Sequence, residues 1–145
     1  MPPVKIIIFE DEFLLANDLK RQIVAFDYEV SAMFGKAEDG LAYLSKIDKK
    51  ENIPDVVLMD ISLAGSMNGI EAAEIISANY QCAVVFLSGI NQPEIFDKCF
   101  SIKPRTFLLK PFDIYQALLT IKLAIYLNKL ELRLIATQEE TASNN

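Results

Sequence analysis

Five short apolar runs, each followed by a stretch of helical periodicity, restrict this chain to very few architectures. The first, "VKIIIF" (Val4–Phe9), is β-branched and continuous rather than alternating, the pattern of a strand buried on both faces. Glu12 to about Phe26 then sets Leu15, Leu19, Ile23 and Phe26 at steps of four, four and three, which is one face of a helix. "YEVSAMF" (Tyr28–Phe34) alternates as a second strand, and "EDGLAYLSKI" (Glu38–Ile47) aligns Leu41, Leu44 and Ile47 on a second helix. After the polar loop "DKKENIPD" come a strand at "VVLM" (Val56–Met59), a helix over Gly69–Ala78 and a strand at "CAVVFLS" (Cys82–Ser88). A short helix over Gln92–Phe100, a strand at "TFLL" (Thr106–Leu109) and a helix from Asp113 to about Ile135 complete the series.

Non-alternating strands separated by helices predict a parallel sheet covered on both faces. Right-handed crossovers make it a doubly wound α/β fold. With 145 residues, 52% of them apolar, the chain is expected to form one globular domain. In such sheets ligands bind at the carboxyl ends of the strands, near the switch in strand order. The residues that end strands are therefore the informative ones.

Charge and composition remove several function classes. The net charge is −6, and the lysines near 46–50 read as a solvated loop, so no nucleic-acid interface is expected of this chain. No stretch approaches the roughly 18–20 uninterrupted apolar residues of a membrane span. "MPPVKIII" lacks the order of features a signal peptide needs. Cys82 and Cys99 have no CxxC spacing, so both are expected to be reduced, structural thiols in a cytoplasmic protein. The chain has no histidine, so any chemistry falls to carboxylates, Lys, Ser or Thr.

The strand ends hold such groups. The first strand ends in Glu10, Asp11 and Glu12, the third in Asp60, the fourth in Ser88 and Gly89, the fifth in Lys110 and Pro111. Glu12 also suits the first turn of a helix, where an acid favours the dipole. Carboxylates brought together repel unless a cation relieves them. Mg²⁺ favours one or two carboxylates, waters and a phosphate oxygen. With Lys110 as a fixed positive charge and Ser88 as a hydroxyl donor, the set suits phosphoryl transfer, in which a carboxylate can itself be the nucleophile.

"FEDE" after the first strand, "VVLMDISL…NGIEAA", "FLSG" and "FLLKPF", in this order, resemble the receiver domain of bacterial response regulators, chemotaxis regulators among them. The resemblance covers about residues 4–130. It implies a flavodoxin-like sheet in the order 2-1-3-4-5 with five helices. It implies that Asp60 accepts a phosphoryl group from the phosphohistidine of a histidine kinase or phosphotransfer protein. It implies a Mg²⁺ (or Mn²⁺) site made by Asp11 directly, Glu10 through water, Asp60, and the backbone carbonyl of Ser62. Ser88 would bond the phosphoryl group, Gly89 would leave room for it, and Lys110 would bridge to one of its oxygens. Phe107 falls at the family's switching aromatic, and the Lys110–Pro111 bond is expected to be cis, which a prolyl bond tolerates at about 0.5–1 kcal/mol. The output face would be the fourth helix, fifth strand and fifth helix. Such a chain is a signalling phosphoacceptor that assists its own phosphorylation and dephosphorylation, rather than an enzyme with a separate substrate.

The chain departs from the family's pattern in places. Ala64 stands where a proline is common, and "LAGSMNG" is one residue longer than the commonest loop. A related subgroup has "L-x-G-x-M-D-G-I-E"; Asn68 replaces its aspartate. Glu10 replaces a common aspartate, and Phe107 has no hydroxyl, so any switch there is one of packing.

Other readings fare less well. A haloacid-dehalogenase-type phosphatase needs a second Asp where Ser62 stands. A flavin-binding flavodoxin needs a Ser/Thr-rich phosphate loop where this chain has Glu10, Asp11 and Glu12, and a P-loop GTPase needs GxxxxGK[ST], which is absent. A non-phosphorylated pseudo-receiver, serving as a dimerisation or scaffold module, is the alternative. In the last helix, Leu123, Leu127, Leu130 and Leu134 recur at steps of four, three and four, beside Ile125 and Tyr126. Part of this seam is core face. Because the helix extends beyond about 128, the expectation is a homodimer contact or a stalk to a further domain. The receiver is expected over 1–135, the tail 136–145 to be disordered, and no output domain to follow within the chain.

Overall fold

β3 (Val56–Asp60) lies at the centre of a parallel five-stranded sheet in the order β2-β1-β3-β4-β5. The computed structural model describes residues 3–47, 52–89, 93–100, 102 and 106–144. The remaining elements are β1 (Lys5–Phe9), α1 (Phe13–Val24), β2 (Glu29–Phe34), α2 (Ala37–Lys46), α3 (Gly69–Asn79), β4 (Ala83–Ser88), α4 (Pro93–Phe100), β5 (Thr106–Leu109) and α5 (Ile114–Asn144). The doubly wound fold and strand order are as expected, and the observed strands lie within a residue of the expected ones. The start expected for α4 at Gln92, and residues 48–51 of the expected loop, lie outside the described residues.

The continuous apolar runs follow from burial on both sides. On one face, Ile7, Phe9, Val57, Met59, Val84 and Phe86 pack with Leu44 of α2, Ala72, Ala73 and Ile76 of α3, and Cys99 of α4. On the other, Ile6, Ile8, Leu58, Val85 and Leu87 pack against Ala16, Leu19 and Ile23 of α1 and Ala117, Ile121 and Ala124 of α5. Ile6–Phe9, Val56–Asp60 and Ala83–Leu87 are buried throughout, so the interior of these central strands is apolar and polar residues enter at their ends.

The last helix departs from expectation. α5 runs 31 residues to Asn144, where a disordered tail was expected from 136. Ala136, Gln138, Glu139 and Glu140 are good helix formers, and neither Gly nor Pro interrupts them. A helix nucleated on the core extends through such residues at little cost, even with every described side chain from Arg133 onward exposed.

The joint between β3 and α3 is unusually close. A Cβ on Gly69 would lie 2.0 Å from the Asp60 carbonyl oxygen and 2.9 Å from Ile61 Cα, so only glycine fits. Asn68 caps the helix: its Oδ1 accepts from the Glu71 amide (2.9 Å), and its own amide donates to Glu71 Oε1 (3.3 Å). Asn and Asp cap equally well, which accounts for the exchange at this position.

Candidate functional site

Three strands bring their ends to one edge of the sheet. The Glu10 amide donates to the Phe34 carbonyl of β2 (2.9 Å), which fixes the chain as it leaves β1. Asp60 is the last residue of β3, and the next amide, Ile61, donates to the Leu87 carbonyl (3.1 Å). The Lys110 amide donates to the Ser88 carbonyl (2.8 Å), and the Lys110–Pro111 bond is cis.

The side chains then converge. Lys110 Nζ lies 2.7 Å from Glu10 Oε1 and 3.1 Å from Asp60 Oδ2. The other oxygen of Asp60 accepts from the Ser62 amide (2.8 Å). Glu10 and Asp60 are only 4% and 6% exposed, so an ammonium bridging them is what keeps like charges tolerable there. Asp11 faces solvent beside them, and one carboxylate oxygen from each of Glu10, Asp11 and Asp60 lies within 4.8 Å of the others.

This crowding separates the two buried acids. Burial, then Asp60, push the Glu10 carboxyl up to about 7 against the pull of Lys110. For Asp60, burial works against ionisation, but the bonds from Glu10 and the Ser62 amide and the charge of Lys110 outweigh it and hold the carboxyl below its usual range. Between its two acids Lys110 is held above its ordinary value despite burial. Of the two buried acids, Asp60 is therefore the more readily ionised and Glu10 the more readily protonated.

A stability profile follows for the metal-free protein. Glu10 titrates near 4.5 unfolded and at about 7 folded, so the folded state binds more protons between these values. The stabilisation from protonated Glu10 is complete below about 4.5 and is lost as pH rises through about 7. The loss is of order 3 kcal/mol by the usual conversion. Asp60 has the opposite sign, its contribution being lost only as pH falls below the usual carboxylate range. Urea unfolding in EDTA at pH 5 and pH 8 is expected to show this loss in the wild type and not in Glu10→Gln. Equal pH dependence in the two proteins would contradict the assignment.

The other expected residues are placed less uniformly. Ser88 is half-buried at the end of β4, and its hydroxyl donates to the Gly89 carbonyl (2.8 Å) rather than to the carboxylates. A Cβ on Gly89 would meet nothing within 4 Å, so the space beside Ser88 is open. Phe107 sits opposite Phe86 on β4, and its ring centroid lies 5.7 Å from that of Phe86, 5.4 Å from Phe96 and 5.6 Å from Phe100. The ring thus joins β5 to α4. Two residues with close contacts around the β3–α3 joint were not singled out from the sequence: Gly69, and Glu38, which reaches the β3–α3 loop from α2. The Asn-Gly pair ahead of a helical pattern marks the former; nothing local marks the latter.

Comparison with known proteins bears on the family and the fold. The family model described as response regulator receiver domain matches residues 6–122. The chain is 28% identical over 123 residues to the transcriptional regulatory protein PdtaR of Mycobacterium tuberculosis, covering 85% of this chain but 57% of that protein. It therefore spans little more than half the length of that relative. It is 30% identical over 110 residues to the chemotaxis protein CheY of Bacillus subtilis, covering 75% of this chain and 87% of that one. The solved signal receiver domain of a modulated diguanylate cyclase from Desulfovibrio desulfuricans G20 superimposes with a TM-score of 0.79 at 27% identity, covering 89% of this chain and 98% of that one.

Proposed function

The chain belongs to the response regulator receiver domain family, and on that premise we propose that it is a working phosphoacceptor with Asp60 as its acceptor. The observation that carries this reading is the Lys110 ammonium held between Asp60 and Glu10, with Asp11 beside them at the carboxyl edge of the sheet. An ionised Asp60 oxygen attacks the phosphorus of a phosphohistidine on a histidine kinase or phosphotransfer protein. The O–P bond forms, the P–N bond breaks with its electron pair going to the ring nitrogen, and the donor's imidazole, already protonated on its other nitrogen, leaves neutral. Lys110 is placed to follow the developing charge on a phosphoryl oxygen. Ser88, whose hydroxyl now donates to the Gly89 carbonyl, would turn from it to bond that group.

The donor set suits a hard, oxygen-seeking cation such as Mg²⁺ or Mn²⁺. Asp11, Asp60, the Ser62 carbonyl and, through water, Glu10 would hold it, and the bound ion would offset charge on the phosphoryl oxygens. The chain acts as a signalling component that is modified and reset, rather than as an enzyme with a separate substrate. Both buried acids and the lysine are in place, which disfavours the pseudo-receiver alternative. Uptake of a phosphoryl group from acetyl phosphate tests this reading.

The added dianion would be read out at the α4-β5-α5 face, where Phe107 packs against Phe96 and Phe100. No described helix is long and apolar enough to cross a membrane, and we place the protein in the cytoplasm with its kinase. On α5, Leu119, Tyr126 and Leu134 are 70%, 60% and 63% exposed, while Leu127 and Leu130 of the expected seam are half-buried. This stripe supports pairing with a second copy through α5. Sedimentation velocity over a concentration series is expected to show a dimer, and a monomer at every concentration, phosphorylated or not, would overturn that contact.

A further inference from the structure

The β3–α3 loop is held from another element. Glu38, in the first turn of α2, accepts hydrogen bonds at Oε1 from Ser66 Oγ (2.9 Å) and from the Met67 amide (2.9 Å). Nearby, Lys36 and Ala64 form an isolated parallel bridge. Between these contacts Gly65 turns the chain at φ +105°, and a Cβ there would lie 3.3 Å from Glu38 Oε2. A side chain at 65 would be strained in its backbone and would crowd the carboxylate. Its own amide and the bonds from Ser66 and Met67 hold the Glu38 carboxyl below its usual range, so it serves these donors as a carboxylate.

The near end of the same loop grips the site. The Ser62 amide donates to Asp60 Oδ1 (2.8 Å), and the Gly69 amide returns to the Ile61 carbonyl (3.1 Å). A partner that orients a ligating carboxylate tunes metal affinity even though it never touches the ion. The segment between Ser62 and Gly69 is exposed over much of its length, and the contacts of Lys36 and Glu38 tie it down.

We infer that Glu38 is a positioning residue for the cation site: by anchoring the β3–α3 loop at Ser66 and Met67 it keeps the Ser62 amide on Asp60 and so sets the affinity for a divalent cation. The inference rests on the receiver reading above, because it presumes that Glu10, Asp11 and Asp60 bind such an ion. The ion itself is the probe. Mn²⁺ binding is measured by calorimetry at neutral pH, without a phosphodonor, for the wild type, Glu38→Ala, Glu38→Gln and Ser66→Ala. Glu38→Ala is expected to bind about tenfold more weakly. Glu38→Gln keeps an oxygen facing both donors, so its affinity is expected to stay close to wild type. Hydrogen exchange at the Met67 amide is expected to speed up in Glu38→Ala and to stay slow in Glu38→Gln.

An unchanged affinity in a folded Glu38→Ala would overturn the inference. So would an equal loss in Glu38→Gln, since that would assign the effect to charge rather than to the bonds. If Glu38→Ala does not fold, Ser66→Ala decides: it removes one donor from an exposed position, and a weaker affinity supports the inference while no change overturns it. A wild type that binds no Mn²⁺ would overturn the receiver reading and this inference with it. A wild type that binds Mn²⁺ beside indifferent variants would overturn this inference alone.

Discussion

Asp60→Asn is expected to take up no phosphoryl group from acetyl phosphate or from a phosphohistidine donor, while remaining folded. The substitution removes the nucleophile but little of the packing. The amide oxygen still accepts from the Ser62 amide, and Lys110 keeps its shorter contact, 2.7 Å, with Glu10. Glu10 loses the neighbour that, after burial, does most to raise its carboxyl, so its titration is expected to move down toward the usual range. Thermal unfolding is expected to change by no more than about 1 kcal/mol, the scale of a single exchanged hydrogen bond. Phosphorylation of Asp60→Asn to the wild-type level would move the acceptor elsewhere. A variant that fails to fold would instead show that the ionised carboxylate is needed for the packing of this edge.

Lys110→Ala carries the second large effect, and its two consequences run in opposite directions. Transfer is expected to slow about a hundredfold, the scale found when a donor aimed at developing charge is removed. Cation affinity is expected to rise, because the ammonium contacts Glu10 Oε1 and Asp60 Oδ2, oxygens of the very carboxylates offered to a metal. The rate is followed by mass spectrometry at saturating Mg²⁺, and affinity by calorimetry with Mn²⁺. A rate within a few fold of wild type would remove Lys110 from the chemistry. Weaker metal binding would show that its main work is to hold the two acids in place.

Much of the site was legible because burial on both faces of the sheet forces polar residues to the strand ends. Glu10 after Phe9, Asp60 after Met59 and Lys110 after Leu109 stand out for that reason, and the chain order of the motifs placed them at one edge. Contacts between elements far apart in sequence left no such trace. Glu38 reaches Met67 across 29 positions, and as one acid in the first turn of a helix it looks like many others. Gly69 read as a helix start, but the 2.0 Å approach of a Cβ to Asp60 depends on how α3 docks on β3. The bond of the Ser88 hydroxyl to the Gly89 carbonyl likewise depends on how the chain turns after β4. After 135 the chain is polar and has no apolar pattern, yet propensity and a preceding nucleated helix suffice to continue α5 to Asn144.

The central claim is that Asp60 is phosphorylated, and the intact mass of the wild type after incubation with Mg²⁺ and acetyl phosphate, beside an Asp60→Ala control, tests it most directly. One added phosphoryl group, lost on brief exposure to base, is expected in the wild type and not in the control. An adduct of equal extent in Asp60→Ala, or no adduct from either acetyl phosphate or a phosphohistidine donor in a protein that binds Mg²⁺, would contradict it.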